Sequence, residues 1–128
     1  MSLLLETPPS TATPELMPGA GDTVLVVDDD DAFRAALAAF IAASGADVFE
    51  ATGVFDAIEV VEREPVDFVL CDYSMREATG VNLLAYLGTR GFAGRFVLMS
   101  ADLPQDAARE IRARGAEAIS KWDLLEIL

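Results

Sequence analysis

From residue 22 onward the apolar residues alternate between two periodicities, and this alternation restricts the fold more than any other feature of the chain. The runs TVLVV (23–27), ADVFE (46–50), VDFVLC (66–71), RFVLMS (95–100) and AEAIS (116–120) have the length and composition of strands. Between them, apolar residues recur at helical spacing. Phe33, Leu37, Phe40 and Ile41 precede Ser44-Gly45; Val54, Ile58 and Val61 precede Pro65; and VNLLAYLGTR forms a third helix over 81–90. A fourth spans about 103–114, with Pro104 in its first turn and Gly115 just beyond its end. WDLLEIL (122–128) reads as a short fifth helix, marginal by itself. Five strand–helix units predict an α/β domain with a doubly wound parallel sheet covered on both faces. VDFVLC, almost wholly apolar, suits a strand buried on both sides.

In such a sheet, ligands bind outside the carboxyl ends of the strands. Strand one ends in Asp28-Asp29-Asp30-Asp31, strand three at Asp72, strand four at Ser100, and strand five runs through Ser120 to Lys121. Strand two delivers Glu50. Each residue has an ordinary reading by itself. The aspartates suit a helix N-terminus, where a carboxylate contributes roughly 0.3–1 kcal/mol. Asp72 suits a turn, Ser100 a cap, Lys121 a solvated surface and Cys71 a small buried position. Yet two carboxylates about 4 Å apart repel by roughly 4 kcal/mol at the effective dielectric of a protein surface. The same residues would together hold a hard cation such as Mg²⁺ on oxygen ligands. They would also present a carboxylate nucleophile to phosphorus, with a lysine and a hydroxyl to meet the developing charge.

Composition removes several alternatives. The chain has no histidine, which excludes a Ser-His triad, a histidine zinc site and phosphohistidine formation within it. One cysteine excludes an internal disulfide. The net charge of −13 argues against nucleic-acid binding by this segment and against an anionic membrane surface. Residues 1–21, with four prolines among Ser, Thr and Gly, read as a disordered leader or linker. Its LLL is too short for a signal-peptide core or a membrane span, so a reducing cytoplasm is expected. A single lysine, Lys121, stands against eight arginines.

Taken in order, VLVVDDD, VDFVLCDYSM, FVLMSA and ISK resemble the receiver domain of two-component response regulators, over residues 22–128. The resemblance implies a flavodoxin-like (βα)5 fold with strand order 2-1-3-4-5. It implies a signalling phosphoacceptor rather than an enzyme in the usual sense, though one able to catalyse its own phosphorylation and dephosphorylation. Asp72 takes the place of the phosphorylation site, and Ser100 and Lys121 those of the hydroxyl and the lysine that follow the phosphoryl group. Mg²⁺ (or Mn²⁺) would be held by Asp28, Asp29, Asp72 and the backbone carbonyl of Ser74. Ser74, Ala101 and Asp102 fall where receivers tune phosphoryl lifetime. The donor would be a histidine kinase or histidine phosphotransfer protein, and the switch surface would be helix four, strand five and helix five, which also suits homodimer formation.

Several residues depart from the family pattern. Arg76 replaces the proline of a Met-Pro pair, and Thr79 replaces an acid before Gly80. Ala118 or Ile119 stands where an aromatic switch residue is usual. Trp122 follows Lys121 where receivers place a cis-linked proline, and a cis bond before Trp would cost about 2.5–4 kcal/mol. Two competing functions follow. One is a degenerate receiver acting as a phosphorylation-independent interaction module. The other is a phosphatase of haloacid-dehalogenase type, because Asp28-x-Asp30 resembles its DxD motif, although Ala32 stands where that motif wants Thr or Val.

Overall fold

The computed structural model describes residues 17–128. Its elements follow the predicted alternation: β1 (Thr23–Val27), α1 (Asp31–Ala42), β2 (Asp47–Ala51), α2 (Val54–Arg63), β3 (Phe68–Asp72), α3 (Gly80–Thr89), β4 (Arg95–Ser100), α4 (Gln105–Ala113), β5 (Glu117–Ser120) and α5 (Lys121–Ile127). All neighbouring strands pair in parallel, in the order β2-β1-β3-β4-β5. This is the flavodoxin-like arrangement that the sequence implied. Of the expected leader, residues 1–16 lie outside the described residues, while Met17 packs against the α1 side of the core and Pro18 is buried.

Strand alternation builds two apolar layers, one on each face of the sheet. Val24, Val26, Phe68, Leu70, Val97 and Met99 face α1 and α5, where they meet Leu37, Ile41 and Leu124. Leu25, Val27, Val69, Cys71, Phe96 and Leu98 face the other way, toward Ala57, Val60, Leu83, Leu87 and Ile111. All of β3 is buried, as its unbroken apolar run requires.

Several boundaries, and the exposure of one aromatic residue, differ from the sequence reading. β3 starts at Phe68 and includes Asp72, although the Asp67 N–H already bonds to the Thr23 carbonyl of β1. α4 starts at Gln105, since Pro104 has extended backbone (ψ 148°) and caps the helix from outside. α5 starts at Lys121, one residue early, because the Ser120 hydroxyl accepts the Trp122 N–H at 3.1 Å. Phe40 lies off the buried stripe of Leu37, Ala38 and Ile41 and is 41% exposed.

Gly80 sets how closely α3 approaches the end of β3. A Cβ there would stand 2.6 Å from the Asp72 carbonyl oxygen and would also strike Leu98. Gly88, on the exposed side of the same helix, has nothing within 4 Å. Gly80→Ala should therefore lower unfolding stability by about 1–3 kcal/mol through overpacking. Gly88→Ala should leave it unchanged or raise it by up to about 1 kcal/mol. Urea denaturation of the two variants checks the contrast.

Candidate functional site

The carboxyl edge of β1 divides its aspartates among different tasks. Asp30 caps α1, its Oδ1 accepting the Phe33 N–H at 3.1 Å, and Asp31 sits in the first turn. Both uses suit the positive end of a helix. Asp28 is fully buried, and its Oδ1 accepts the Asp30 N–H at 2.9 Å. Asp29 points toward the loop after β3, where the Arg76 N–H donates to its Oδ2 at 3.0 Å. One organising residue escaped the sequence reading. Arg34 donates to the Asp28 carbonyl at 2.8 Å and pairs with Asp31 at 2.8 Å and Glu50 at 3.0 Å. Burial alone would lower its pKa, but Asp31 and Glu50 outweigh that and raise it. Its position one turn after Asp30 was the available signal, because an i, i+3 pair with Asp31 was readable from spacing.

The register that aligns Val27 with Cys71 puts Asp28 beside Asp72. One carboxylate oxygen each from Asp28, Asp29 and Asp72 lies within 4.8 Å of the others. Lys121 reaches in from the start of α5, its Nζ 2.8 Å from Asp28 Oδ2 and 3.2 Å from Asp72 Oδ1. The same ammonium lies 4.6 Å from the centre of the Phe33 ring. Asp72 is pushed up to about 6, first by burial and then by the Asp28 charge, against the opposing pull of Lys121 and of the Ser74 N–H. For Lys121, burial acts to lower the pKa, yet Asp28 and Asp72 prevail and raise it. Cys71 is fully buried, and burial beside Asp72 raises its thiol well above the ordinary value, so it serves as core.

Ser100 is buried at the end of β4, and its Oγ accepts the Asp102 N–H at 3.1 Å. The strands bring it to the same edge, since Asp72 is level with Met99 and Ser100 with Ser120. Asp28, Asp29, Asp72 and Lys121 thus form one cluster, with Ser100 and Ser74 at its border. Ala101 has a further contact that the sequence reading missed, its carbonyl accepting the Trp122 indole N–H at 3.1 Å.

The fit to a hard divalent cation can be tested on these atoms. The donor set is all oxygen, which suits Mg²⁺. Asp28, Asp29 and Asp72 each bring one carboxylate oxygen within 4.8 Å of the others, a spacing one cation can span. The residues fit.

A family model, the response regulator receiver domain, matches residues 24–123. The chain belongs to this family. Among curated proteins, Regulator of RpoS from Escherichia coli (strain K12) is 29% identical over 96 residues, 74% of this chain and 28% of that protein. The same figures hold for its counterpart in Shigella flexneri, so this chain spans little more than a quarter of these relatives. A CheY-like receiver from Methanospirillum hungatei JF-1 superposes with a TM-score of 0.75 at 22% identity, covering 82% of this chain and 88% of that one. Response regulator protein TrrA from Thermotoga maritima, in complex with Mg(2+)-BeF, gives 0.68 at 18% identity, with 84% and 99% covered. At these identities the two structures speak for the fold.

As a receiver it is unusual around Lys121. No cis peptide occurs among the described residues, so the Lys121–Trp122 bond is trans. On β5, Ala118 is half-buried and Ile119 is part of the core, and the aromatic ring of this region is Trp122, 63% exposed. Among the described residues no helix is long and apolar enough to cross a membrane.

The raised pKa of Asp72 sets a stability prediction. Between its unfolded value near 3.9 and its folded value of about 6, the folded chain binds more protons, so stability falls as pH rises. In metal-free buffer at pH 7, Asp72→Asn should therefore be more stable than the wild type by about 2–3 kcal/mol. The gap should close toward pH 4. Guanidinium melts across that range measure it.

Proposed function

We propose that this receiver is a phospho-accepting switch in which Asp72 takes a phosphoryl group from the phosphohistidine of a partner histidine kinase or phosphotransfer protein, in the cytoplasm. The observation that carries the reading is the Lys121 ammonium bridging Asp28 and Asp72 inside a three-carboxylate cluster. An Asp72 carboxylate oxygen attacks phosphorus, the P–N bond to the donor imidazole breaks, and its electron pair leaves with the ring. Lys121, already 3.2 Å from Asp72, meets the charge that builds on the phosphoryl oxygens. Ser100, whose Oγ accepts the Asp102 N–H, keeps its hydroxyl proton to donate to a phosphoryl oxygen. Asp28, Asp29, Asp72 and the Ser74 carbonyl would hold Mg²⁺ (or Mn²⁺), which supplies charge neutralisation at the phosphoryl oxygens. Ser74, Ala101 and Asp102 border the group and tune its lifetime.

The readout is the surface of α4, β5 and α5, which also suits self-association. α4 buries Ile111 alone, and α5 buries Leu124 while exposing Trp122, Leu125 and Ile127. Weak anchoring of both helices suits a surface that moves. The indole bond to Ala101 links that surface to the Ser100 loop. A haloacid-dehalogenase-type phosphatase gains nothing from the geometry, because Asp28 is fully buried and Asp30 is engaged as a helix cap. The interaction-module reading rests on the altered loop at Arg76 and Thr79 and on the lack of an aromatic residue at Ala118 or Ile119. Beryllofluoride that leaves the Trp122 emission and partner affinity unchanged would favour it.

Incubation with acetyl phosphate and Mg²⁺ followed by intact-mass analysis tests the proposal. A single phosphoryl adduct should form, and Asp72→Asn should abolish it. Asp29→Asn should reduce its rate at least about a hundredfold, the loss expected for one electrostatic group at a phosphoryl site. Asp31→Asn should leave the rate within about twofold, because an exposed helix-end charge contributes a fraction of a kcal/mol. An adduct that persists in Asp72→Asn, or never forms in the wild type, overturns the reading.

A further inference from the structure

Arg76 stands where receivers usually carry the proline of a Met-Pro pair, and it is the second cation at the cluster. Its main-chain N–H donates to Asp29 Oδ2 at 3.0 Å, and its own Nε lies 3.5 Å from the same oxygen. The loop presenting it is closed at its base by pairing of Ser74 with Thr79 and by the Gly80 N–H on the Tyr73 carbonyl at 2.8 Å. Thr79 is in turn bonded to Asn82 at the start of α3. Lys121 meets Asp28 and Asp72 from one side, and Arg76 meets Asp29 from the other.

We propose that Arg76 is the resident counter-cation of Asp29 and competes with Mg²⁺ for it, so that it sets the metal affinity of the resting site. This rests on reading Asp28, Asp29 and Asp72 as a metal site. Against Lys121 and Arg76 the three carboxylates keep one negative charge. A divalent ion with Lys121 alone neutralises them, and the guanidinium becomes surplus beside a cation. It has somewhere to go. The Arg76 side chain is 84% exposed, and a cleft of about 400 Å³ lined by Asp29, Asp31, Gly53, Arg76 and Glu77 opens beside it. Asp31 and Glu77 are acceptors there for the displaced group. The main-chain bond from Arg76 to Asp29 does not depend on the side chain, so the carboxylate stays oriented when the guanidinium leaves.

Isothermal titration of Mg²⁺ alone, without a phosphodonor and at low ionic strength, tests this on the wild type, Arg76→Ala, Arg76→Lys and Asp29→Asn. Arg76→Ala should bind Mg²⁺ about two- to fivefold more tightly, the range of an exposed ion pair. Arg76→Lys should stay near the wild type, and the Ala advantage should shrink toward zero at about 0.5 M salt. A merely structural role would move neither the lysine rescue nor the salt dependence. Equal or weaker Mg²⁺ binding by Arg76→Ala, with binding lost in Asp29→Asn, overturns the inference and leaves the metal site standing. Binding that survives Asp29→Asn, or is absent from both the wild type and Arg76→Ala, overturns both.

Discussion

Three carboxylates gathered at one edge of a sheet repel one another, and the Lys121 ammonium is what lets the fold keep them there. Asp28 and Asp72 end adjacent strands, so their proximity is a consequence of β1–β3 pairing rather than a local choice. Without an internal cation, Asp28, fully buried, would be an uncompensated charge in a poorly solvated place. Lys121 offsets both charges, yet burial, and after it the Asp28 charge, still pushes Asp72 up to about 6. A site in this state favours any further positive charge that arrives.

The rest of the edge keeps the cluster in position. Arg34 ties the Asp28 carbonyl to Glu50 on β2 and to Asp31 on α1, so three elements share one guanidinium. Asp28 and Asp30 fix the turn through bonds to the Asp30 and Phe33 N–H groups. Gly80 brings α3 against the Asp72 carbonyl, which holds the end of β3 from the opposite side. Against this rigid centre, α4 and α5 are lightly anchored. A tightly held edge beside a loosely held outer face suits the proposed switch.

The outer face also carries this chain's departures from its family. The ring expected on β5 is absent there, and Trp122 at the start of α5 bonds to the loop after Ser100 instead. A cleft of about 490 Å³ between α1 and α5 is lined by Phe33, Ala36, Trp122, Leu125 and Leu128, with Asp30 and Lys121 at its polar end. Whatever moves the Ser100 loop pulls on a residue that borders this cleft.

The alternation of apolar periods, the strand-end aspartates, the lone lysine and the missing histidine were legible in the linear chain, because each reflects a one-dimensional rule. Strand and helix periods follow from backbone geometry, and a polar residue ending an apolar run marks a strand end. Those features were enough for the fold, and for Asp28, Asp29, Asp72 and Lys121 as one candidate cluster. Element ends were misread where a cap decided them, as when the Ser120 hydroxyl takes the Trp122 N–H and starts α5 at Lys121. The pairing of Arg76 with Asp29, of Arg34 with Glu50 and of Trp122 with Ala101 joins residues far apart in the chain. Long flexible side chains can reach many partners, and only the packed arrangement of strands and loops selects which one lies within 3 to 4 Å. The sequence by itself determined which charges the site would contain, and the tertiary structure decided which of them neutralise one another.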